Sequence, residues 1–229
     1  MANKTFVIDL GGSIIHPDEL NVPYLKEFYD FILGQVARGR KFIIVVGGGK
    51  LCRKYQQAAT EVAGINDEDK DWIGIHATRL NAHLLRTIFI KQAHPVILKQ
   101  RHKVTDFGDH SIIIGAGWHP GWSTDFVAVQ TAADFKINEV IILGRPDYVY
   151  DKDNQKFDDA EPFEKLTWGQ YAKLIPAQWS PGMSAPVDPV AAKLAQSANI
   201  KVIVASGADL VNVGKILNGE KFKGTTISG

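Results

Sequence analysis

Short apolar runs alternate with longer amphipathic stretches along most of this chain. Runs rich in β-branched residues predict buried strands at 5–10, 41–46, 95–98, 111–114, 138–143 and 200–205. Apolar positions at helical spacing predict helices over about 22–38, 50–63, 72–92, 125–136 and 189–198. Apolar strands separated by helices indicate an α/β protein with a largely parallel sheet that is covered on both faces.

The alternation loosens in the C-terminal third. Residues 151–168 are polar and include Pro162, which predicts an excursion, such as a small hairpin, over the C-terminal half. Residues 180–188 form a predicted loop before a helix that has Pro189 in its first turn. A short final strand is expected over 224–227.

A glycine turn after the strand at 41–46 points to phosphate chemistry. Gly47–Gly49 carries no side chains, and the helix that follows begins with Lys50, Arg53 and Lys54. Such a turn lets an anion approach backbone N–H groups at the positive end of a helix, and an arginine adds a forked charge. The turn therefore predicts a phosphate site, although a plain strand–helix turn that needs only one glycine is the alternative. The spacing differs from that of a P-loop.

A second glycine turn, at 11–13, follows the strand at 5–10. It lacks the third glycine of a dinucleotide-binding turn, and residues 14–17 do not read as the immediate start of a helix. Ligands bind beyond the carboxyl ends of parallel strands, so both turns should meet there with the segments 118–125 and 144–153. Two phosphate groups held near one sheet edge would explain both turns.

Composition narrows the class of protein. With 229 residues and 45% hydrophobic content, the chain can bury a full core. The net charge of +1 argues against nucleic-acid binding through bulk charge, and the single cysteine, Cys52, excludes an internal disulfide or a cysteine-based metal cluster. No apolar run reaches the ~20 residues of a membrane span and no signal-peptide pattern is present, so we expect a cytoplasmic protein with no membrane partner.

Three aspartates near predicted helix starts are candidates for site chemistry. Asp125 would orient basic groups or a metal at a transferring phosphoryl group, or would only cap its helix. Asp188 precedes the helix at 189–198 and has the same capping alternative. Asp71 would accept hydrogen bonds from sugar hydroxyls, or would cap the helix that starts at residue 72.

The loop between the strand at 111–114 and Asp125 is aromatic. Trp118 and Trp122 would stack on a flat ring, and packing at a subunit interface is the alternative. His119 would act as a base, or would only shape a rigid loop beside Pro120.

Several segments, taken together and in order, make the whole chain resemble a known family. They are 9–13, 47–55, 71–81, 119–125, 187–193 and 224–227. The chain resembles the amino-acid-kinase superfamily and, within it, the archaeal-type uridylate (UMP) kinases. The resemblance implies a single αβα sandwich domain over 1–229, phosphoryl transfer from ATP with Mg²⁺ to UMP, and a hexamer built as a trimer of dimers.

The resemblance also implies roles for individual residues. The acceptor UMP would be held by the N-terminal half, about 1–135, through Gly48, Asp71, Trp118, His119, Pro120, Gly121, Trp122, Ser123 and Thr124. ATP would be held by the two glycine turns and by the C-terminal half, about 136–229. The residues implied are Gly12, Ser13, Gly49, Arg53, Gly144, Arg145, Tyr150 and Asp153. Catalysis would depend on Arg53, Asp125 and Asp188, with no further residue assigned as a metal ligand.

The chain departs from the usual family pattern at both ends of the site. Asp9 stands where many superfamily members have a lysine, and although it cannot neutralise a phosphate, it could help to hold Mg²⁺. Gly144, Arg145, Pro146 and Tyr148 replace a hydroxyl, an amide, a valine and a glycine, and Trp118 and Trp122 replace a threonine and a histidine. Three hypotheses follow: a UMP kinase with remodelled pockets, a kinase for another small phosphate or carboxylate, and a nucleotide-binding relative without kinase activity.

Overall fold

The computed structural model describes residues 4–178 and 185–229. Its strands are β1 (Thr5–Leu10), β2 (Lys41–Val46), β3 (Ile112–Gly115), β4 (Glu139–Gly144), β5 (Val149–Tyr150), β6 (Pro162–Phe163), β7 (Lys165–Thr167), β8 (Lys201–Ser206) and β9 (Thr225–Ser228). Its helices are α1 (Gly12–Ile15), α2 (Val22–Ala37), α3 (Gly49–Ala63), α4 (Asp67–Ile88), α5 (Thr124–Asp134), α6 (Trp168–Tyr171), α7 (Pro189–Ser197) and α8 (Leu210–Asn218).

Seven of these strands form one sheet in the order β3-β2-β1-β4-β8-β9-β7. The five strands from β3 to β8 are parallel, β9 is antiparallel to β8, and β7 runs parallel to β9 at the edge. The mainly parallel sheet expected from the apolar runs is confirmed.

Alternate side chains of the strands enter two separate cores. Ile8 and Ile44 face α2, α4 and α8, whereas Val7, Ile43 and Val45 face α5 and α7. Because successive side chains of a strand point to opposite faces, a strand that is apolar at every position must be covered twice. The result is a three-layer αβα arrangement.

The register of the central strands brings the loops of the site to one edge. Asp9 pairs with Val45 on one side and Ile142 on the other, so β1, β2 and β4 end at the same level. The chain leaves all three strands at that edge, where the Gly11 N–H donates to the Leu143 carbonyl at 2.9 Å.

The largest error in the predicted elements concerns 95–98, which is not a strand. The segment touches β3 only through isolated bridges at Ala93 and Leu98. Pro95 has no N–H group to donate to a ladder, which explains why this apolar run does not pair continuously.

Other differences lie at element ends and in short elements. The helix expected over 72–92 begins five residues earlier, because Asn66 caps it, and ends at Ile88. A single-turn helix, α1, opens directly after Gly11, where no helix was expected. Helix α8 was not predicted.

The excursion after β4 contains a small antiparallel pair, as expected. Strand β5 pairs with β6, and the chain then returns to the edge of the main sheet as β7. The predicted loop at 180–188 lies partly outside the described residues, but α7 does begin with Pro189.

Candidate active site

The two glycine turns pack directly on each other, and we call residues 11–13 and 47–50 the glycine cradle. A Cβ atom on Gly12 would lie 2.1 Å from the Gly49 nitrogen, and one on Gly47 would lie 2.5 Å from the Gly12 nitrogen. Gly49 also has a φ of +69°, a conformation that side chains rarely tolerate. A plain turn with one required glycine does not account for three backbone contacts this close.

A buried asparagine that the sequence analysis did not assign holds one side of the glycine cradle. The Asn81 Nδ2 group donates to the carbonyls of Gly47, at 2.8 Å, and Gly48, at 3.3 Å. Asn81 projects from α4 at a fully buried position. An amide on the apolar face of a helix was the available signal, since buried polar groups are normally hydrogen-bonded.

Basic side chains surround the mouth of the glycine cradle, together with one acid that was also missed. Lys50 pairs with the carboxylate of Asp18, and Lys54 donates to the Asp18 carbonyl at 3.2 Å. The hydrogen bond from Lys50 lowers the pKa of Asp18, and Arg145 adds to this from the C-terminal half. The Arg53 side chain is exposed on the first turns of α3.

Asp9 and Asp125 meet beneath the glycine cradle. Asp9 is 2% exposed at the end of β1, and its Oδ1 atom has no hydrogen-bond partner among the described residues. Burial raises the pKa of Asp9 to about 6 despite hydrogen bonding with Asp125 and Thr124. Burial, followed by the charge of Asp9, raises the pKa of Asp125 well above its usual value. Two adjacent carboxyls, of which Asp9 is buried and Asp125 half-buried, favour a shared proton or a bound cation.

Asp188 completes this group of acids from the start of α7. It caps the helix, as the capping alternative predicted, since its carboxylate accepts from the N–H groups of Val190 at 2.7 Å and Ala191 at 3.0 Å. Its own N–H donates to Asp125 Oδ2 at 3.0 Å. The capping alternative is wrong for Asp125, because Ser123 caps α5.

Asp71 anchors the aromatic loop. It lies inside α4 and does not cap it, since Asn66 does so. Its Oδ2 atom accepts from the Gly121 N–H at 2.7 Å, and the Thr78 hydroxyl accepts from the Gly117 N–H at 2.8 Å. Burial raises the pKa of Asp71, and the Gly121 bond opposes that shift. Helix α4 therefore fixes the aromatic loop at two points, Gly117 and Gly121.

The two tryptophans of the loop have different environments. The Trp118 ring is 8% exposed and packs in the core of its own chain, where Nε1 donates to the Leu98 carbonyl at 3.2 Å. The Trp122 ring is 37% exposed and lies 4.6 Å from that of Phe126. The His119 Nδ1 atom lies 2.6 Å from the Pro120 carbonyl, as a loop-shaping role requires. Only Trp122 offers an open aromatic face.

The segment 144–150, which we call the tyrosine turn, runs from the end of β4 through β5 and is closed by contacts between side chains. The Tyr150 hydroxyl donates to Asp147 at 2.7 Å, and the Tyr148 ring lies edge-on to that of Tyr150. Asp153 follows in an exposed bend, where it accepts from Gln155. Gly144 contacts Gly11, which brings the start of this turn, but not Asp153, to the glycine cradle.

The described residues lack a preformed cage of three or more His, Cys, Asp or Glu side chains around a cation. A cation here would have to take further ligands from its phosphate partner. No helix within the described ranges is long and apolar enough to cross a membrane.

The chain is similar to known proteins over nearly its full length. The model of the amino acid kinase family matches residues 4–206. The uridylate kinase of Methanocaldococcus jannaschii is 35% identical over 227 residues, which cover 95% of this chain and 99% of the relative. That of Thermococcus kodakarensis is 33% identical over 224 residues, which cover 96% and 98%.

Solved structures share the fold. The uridylate kinase of Archaeoglobus fulgidus superposes with a TM-score of 0.79 at 31% identity, covering 98% of this chain and all of that one. The UMP kinase of Ureaplasma parvum superposes with a TM-score of 0.78 at 19% identity, covering both chains completely. The chain belongs to the amino acid kinase family.

Proposed function

We propose that this protein is a nucleoside monophosphate kinase that transfers the γ-phosphoryl group of ATP to UMP, giving UDP. The observation that carries the proposal is the glycine cradle, a backbone-lined phosphate site that lies directly above a group of buried acids. Full-length similarity to proteins named uridylate kinase supports UMP as the acceptor and favours neither alternative hypothesis.

The glycine cradle holds phosphates mainly through the backbone. Gly12, Ser13 and Gly49 meet the ATP phosphates, and Gly48 meets the acceptor phosphate. N–H groups at the starts of α1 and α3 supply donors, and exposed Arg53 supplies a two-pronged cation. Phosphoryl transfer needs positioning and charge neutralisation more than a covalent nucleophile, so this site needs no reactive serine or cysteine.

The acids fit Mg²⁺. Asp9 presents a buried oxygen that has no hydrogen-bond partner in the described part of the chain, and Asp125 lies beside it. Mg²⁺ in kinases is commonly held by one or two carboxylates plus substrate phosphates, so the absence of a three-acid cage is no obstacle. When bound, Mg²⁺ neutralises charge on the phosphates. Asp125 and Asp188 organise the reaction centre around it.

The two nucleotides occupy different halves of the protein. UMP lies on the N-terminal half, about 1–135, with Asp71 on its ribose and the loop 118–124 around the uridine. ATP lies against the C-terminal half, about 136–229, with its adenosine beside Tyr150 and Asp153 and with Gly144 and Arg145 nearby. The Asp71–Gly121 bond supports this division, because it ties the ribose residue to the uridine loop.

The oligomeric state, cellular location and metabolic role that we propose follow from the family resemblance. The protein acts in the cytoplasm, in pyrimidine nucleotide synthesis, as a hexamer built as a trimer of dimers. Light scattering of purified protein tests the assembly, and a monomer would contradict it.

A coupled assay with ATP, Mg²⁺ and each nucleoside monophosphate tests the activity. We expect turnover with UMP well above that with CMP, AMP or GMP. Asp125→Asn and Arg53→Ala should each abolish most turnover without unfolding the protein, and Arg53→Lys should restore only part, because an ammonium lacks the forked geometry. Lys26→Ala, on α2, is the matched surface control. Absence of UMP turnover in the parent, with both nucleotides bound, would overturn the kinase proposal.

A further inference from the structure

The first turns of α5 and α7 are joined by a chain of hydrogen bonds. Ser123 Oγ accepts from the Phe126 N–H at 3.1 Å, which caps α5, and donates its proton to Asp188 Oδ2. Asp188 caps α7 through Oδ1, and its N–H donates to Asp125 Oδ2. The start of α5 therefore donates a hydrogen bond to the start of α7 through Ser123, and the start of α7 donates one back through the Asp188 N–H. We call this set of contacts between Ser123, Asp188 and Asp125 the clasp.

The clasp occupies the single hydroxyl proton and one lone pair of Ser123. A serine hydroxyl has a single proton, and here that proton is directed at a carboxylate, the stronger acceptor. One of its lone pairs is occupied by the helix cap. No proton is left to donate to a base or ribose of an acceptor nucleotide.

The clasp also explains how three acids remain close together. Asp188 is 4% exposed, and its negative charge helps to raise the pKa of both Asp9 and Asp125. The Ser123 hydroxyl and the two N–H groups of α7 satisfy the Asp188 carboxylate. A satisfied Asp188 keeps its backbone N–H directed at Asp125, which restrains the Asp125 side chain in one orientation.

We propose that Ser123 is a positioning residue that, through Asp188, holds Asp125 in the orientation needed for phosphoryl transfer, and that its hydroxyl proton is not donated to the acceptor nucleotide. This inference rests on the proposed kinase function. It separates Ser123 from the other members of the loop 118–124, for which the resemblance implies contacts with UMP.

Two variants remove the hydroxyl while preserving the fold to different degrees. Ser123→Ala removes both the cap and the donor. Ser123→Gly removes the donor, but glycine is nearly as good a cap, so the start of α5 is retained. Ser123→Thr keeps the hydroxyl and should rescue function. Asp209→Ala, which removes the cap of α8 elsewhere in the chain, is the matched control for loss of a cap alone.

We expect loss of the Ser123 hydroxyl to lower kcat without a matching loss of UMP affinity. Ser123→Gly should lower kcat roughly ten- to a hundredfold, as for loss of a charge-assisted bond in the reaction centre, and should leave UMP affinity by calorimetry within about twofold. Ser123→Thr should retain most of the kcat, and Asp209→Ala should change neither constant. A raised KM for UMP with an unchanged kcat would overturn the inference, because it would make Ser123 a nucleotide contact.

A crystal structure of Ser123→Gly provides a readout that does not need activity. We expect Asp125 to adopt a different or mixed side-chain orientation in the variant. If the parent shows no UMP turnover, the proposed function fails, and this structure still decides the positioning role. An unchanged Asp125 in Ser123→Gly would refute the clasp even in an active kinase.

Discussion

The glycine cradle and the tyrosine turn lie at the ends of neighbouring strands, but they are held in different ways. In the glycine cradle, backbone contacts backbone so closely that Gly12 and Gly47 leave no room for a Cβ atom. In the tyrosine turn, the side-chain bond from Tyr150 to Asp147 adds to the backbone pairing of β5 with β6, and a Cβ atom on Gly144 would meet only Pro146, at an ordinary 3.6 Å.

This difference accounts for the departure from the usual family pattern at 144–148. A region held by backbone contacts cannot change residue type without moving the neighbouring turn. A region in which the side chains are exposed or half-buried, as Arg145, Pro146 and Tyr148 are, can exchange them at smaller cost. The four replacements at 144–148 fall in the second region, and the glycine cradle keeps the family pattern.

Alanine substitution at one glycine of each region should give the largest contrast. Gly12→Ala places a Cβ atom 2.1 Å from the Gly49 nitrogen, so the two turns must separate. We expect loss of nearly all activity and a free energy of unfolding lower by about 1–3 kcal/mol or more. Gly144→Ala is the matched control and should stay close to the parent in chemical denaturation, because its Cβ atom meets only Pro146. Equal behaviour of the two variants would contradict the comparison.

The residues that hold each region provide a second contrast. Asn81→Leu leaves the buried carbonyls of Gly47 and Gly48 without their donor, so the free energy of unfolding should fall by about 2–4 kcal/mol. Tyr150→Phe removes a half-buried bond to Asp147 and should cost at most about 1 kcal/mol. Urea denaturation measures both, and a larger loss for Tyr150→Phe would reverse the assignment of the rigid region.

The buried acid beneath the glycine cradle should make stability depend on pH. Folding raises the pKa of Asp9 from 3.8 to about 6, so the folded state binds the proton more tightly and loses stability as pH rises between these values. The loss amounts to roughly 3 kcal/mol by pH 7, and Asp9→Asn should remove much of it in metal-free denaturation curves.

The control for this pH effect is Asp153→Asn, near the tyrosine turn. The Gln155 N–H, followed by Lys156, lowers the pKa of exposed Asp153, so this acid acts in the opposite direction. Its replacement should leave the fall in stability above pH 4 in place. A fall that persists equally in Asp9→Asn would show that Asp9 is not its source.

Asp71→Asn should separate the two nucleotides. The amide oxygen can still accept from Gly121, so the loop stays anchored while the charge is lost. We expect UMP affinity to fall roughly ten- to a hundredfold and ATP affinity to change little in calorimetry. Unchanged UMP affinity would leave Asp71 with only the role of loop anchor.

The smallest effect is expected from restoring the usual family residues in the tyrosine turn. The triple variant Gly144→Thr, Arg145→Asn, Tyr148→Gly restores a hydroxyl and removes a bulky ring, so ATP affinity should rise roughly two- to tenfold while UMP turnover persists. Lower ATP affinity in this variant would mean that Arg145 or Tyr148 has become part of the nucleotide pocket.

Much of the fold was predictable because it depends on local pattern. The strands at 5–10, 41–46 and 138–143 each contain at least three consecutive apolar residues, and only burial on both faces satisfies such a run. The glycine turns were recognisable for a similar reason, since a strand followed by glycines and a basic helix start is a local signal. The run at 95–98 misled the prediction because Pro95 interrupts pairing.

The roles of the acids could not be separated along the chain. Asp71, Asp125 and Asp188 all stand near helix starts, where capping and chemistry have the same local pattern. The structure separates them: Asp188 caps α7, Asp71 anchors Gly121, and Asp125 receives a bond from Asp188.

The sequence by itself determined the α/β class, the parallel sheet and the position of the phosphate turns, because each depends on residues that are neighbours in the chain. Only the tertiary structure decided that Asn81 supports the glycine cradle, that Trp118 is buried and that Ser123 joins Asp188. Those contacts connect residues 20 to 65 positions apart. Such pairings exist only once the sheet register has brought the ends of its strands to one edge.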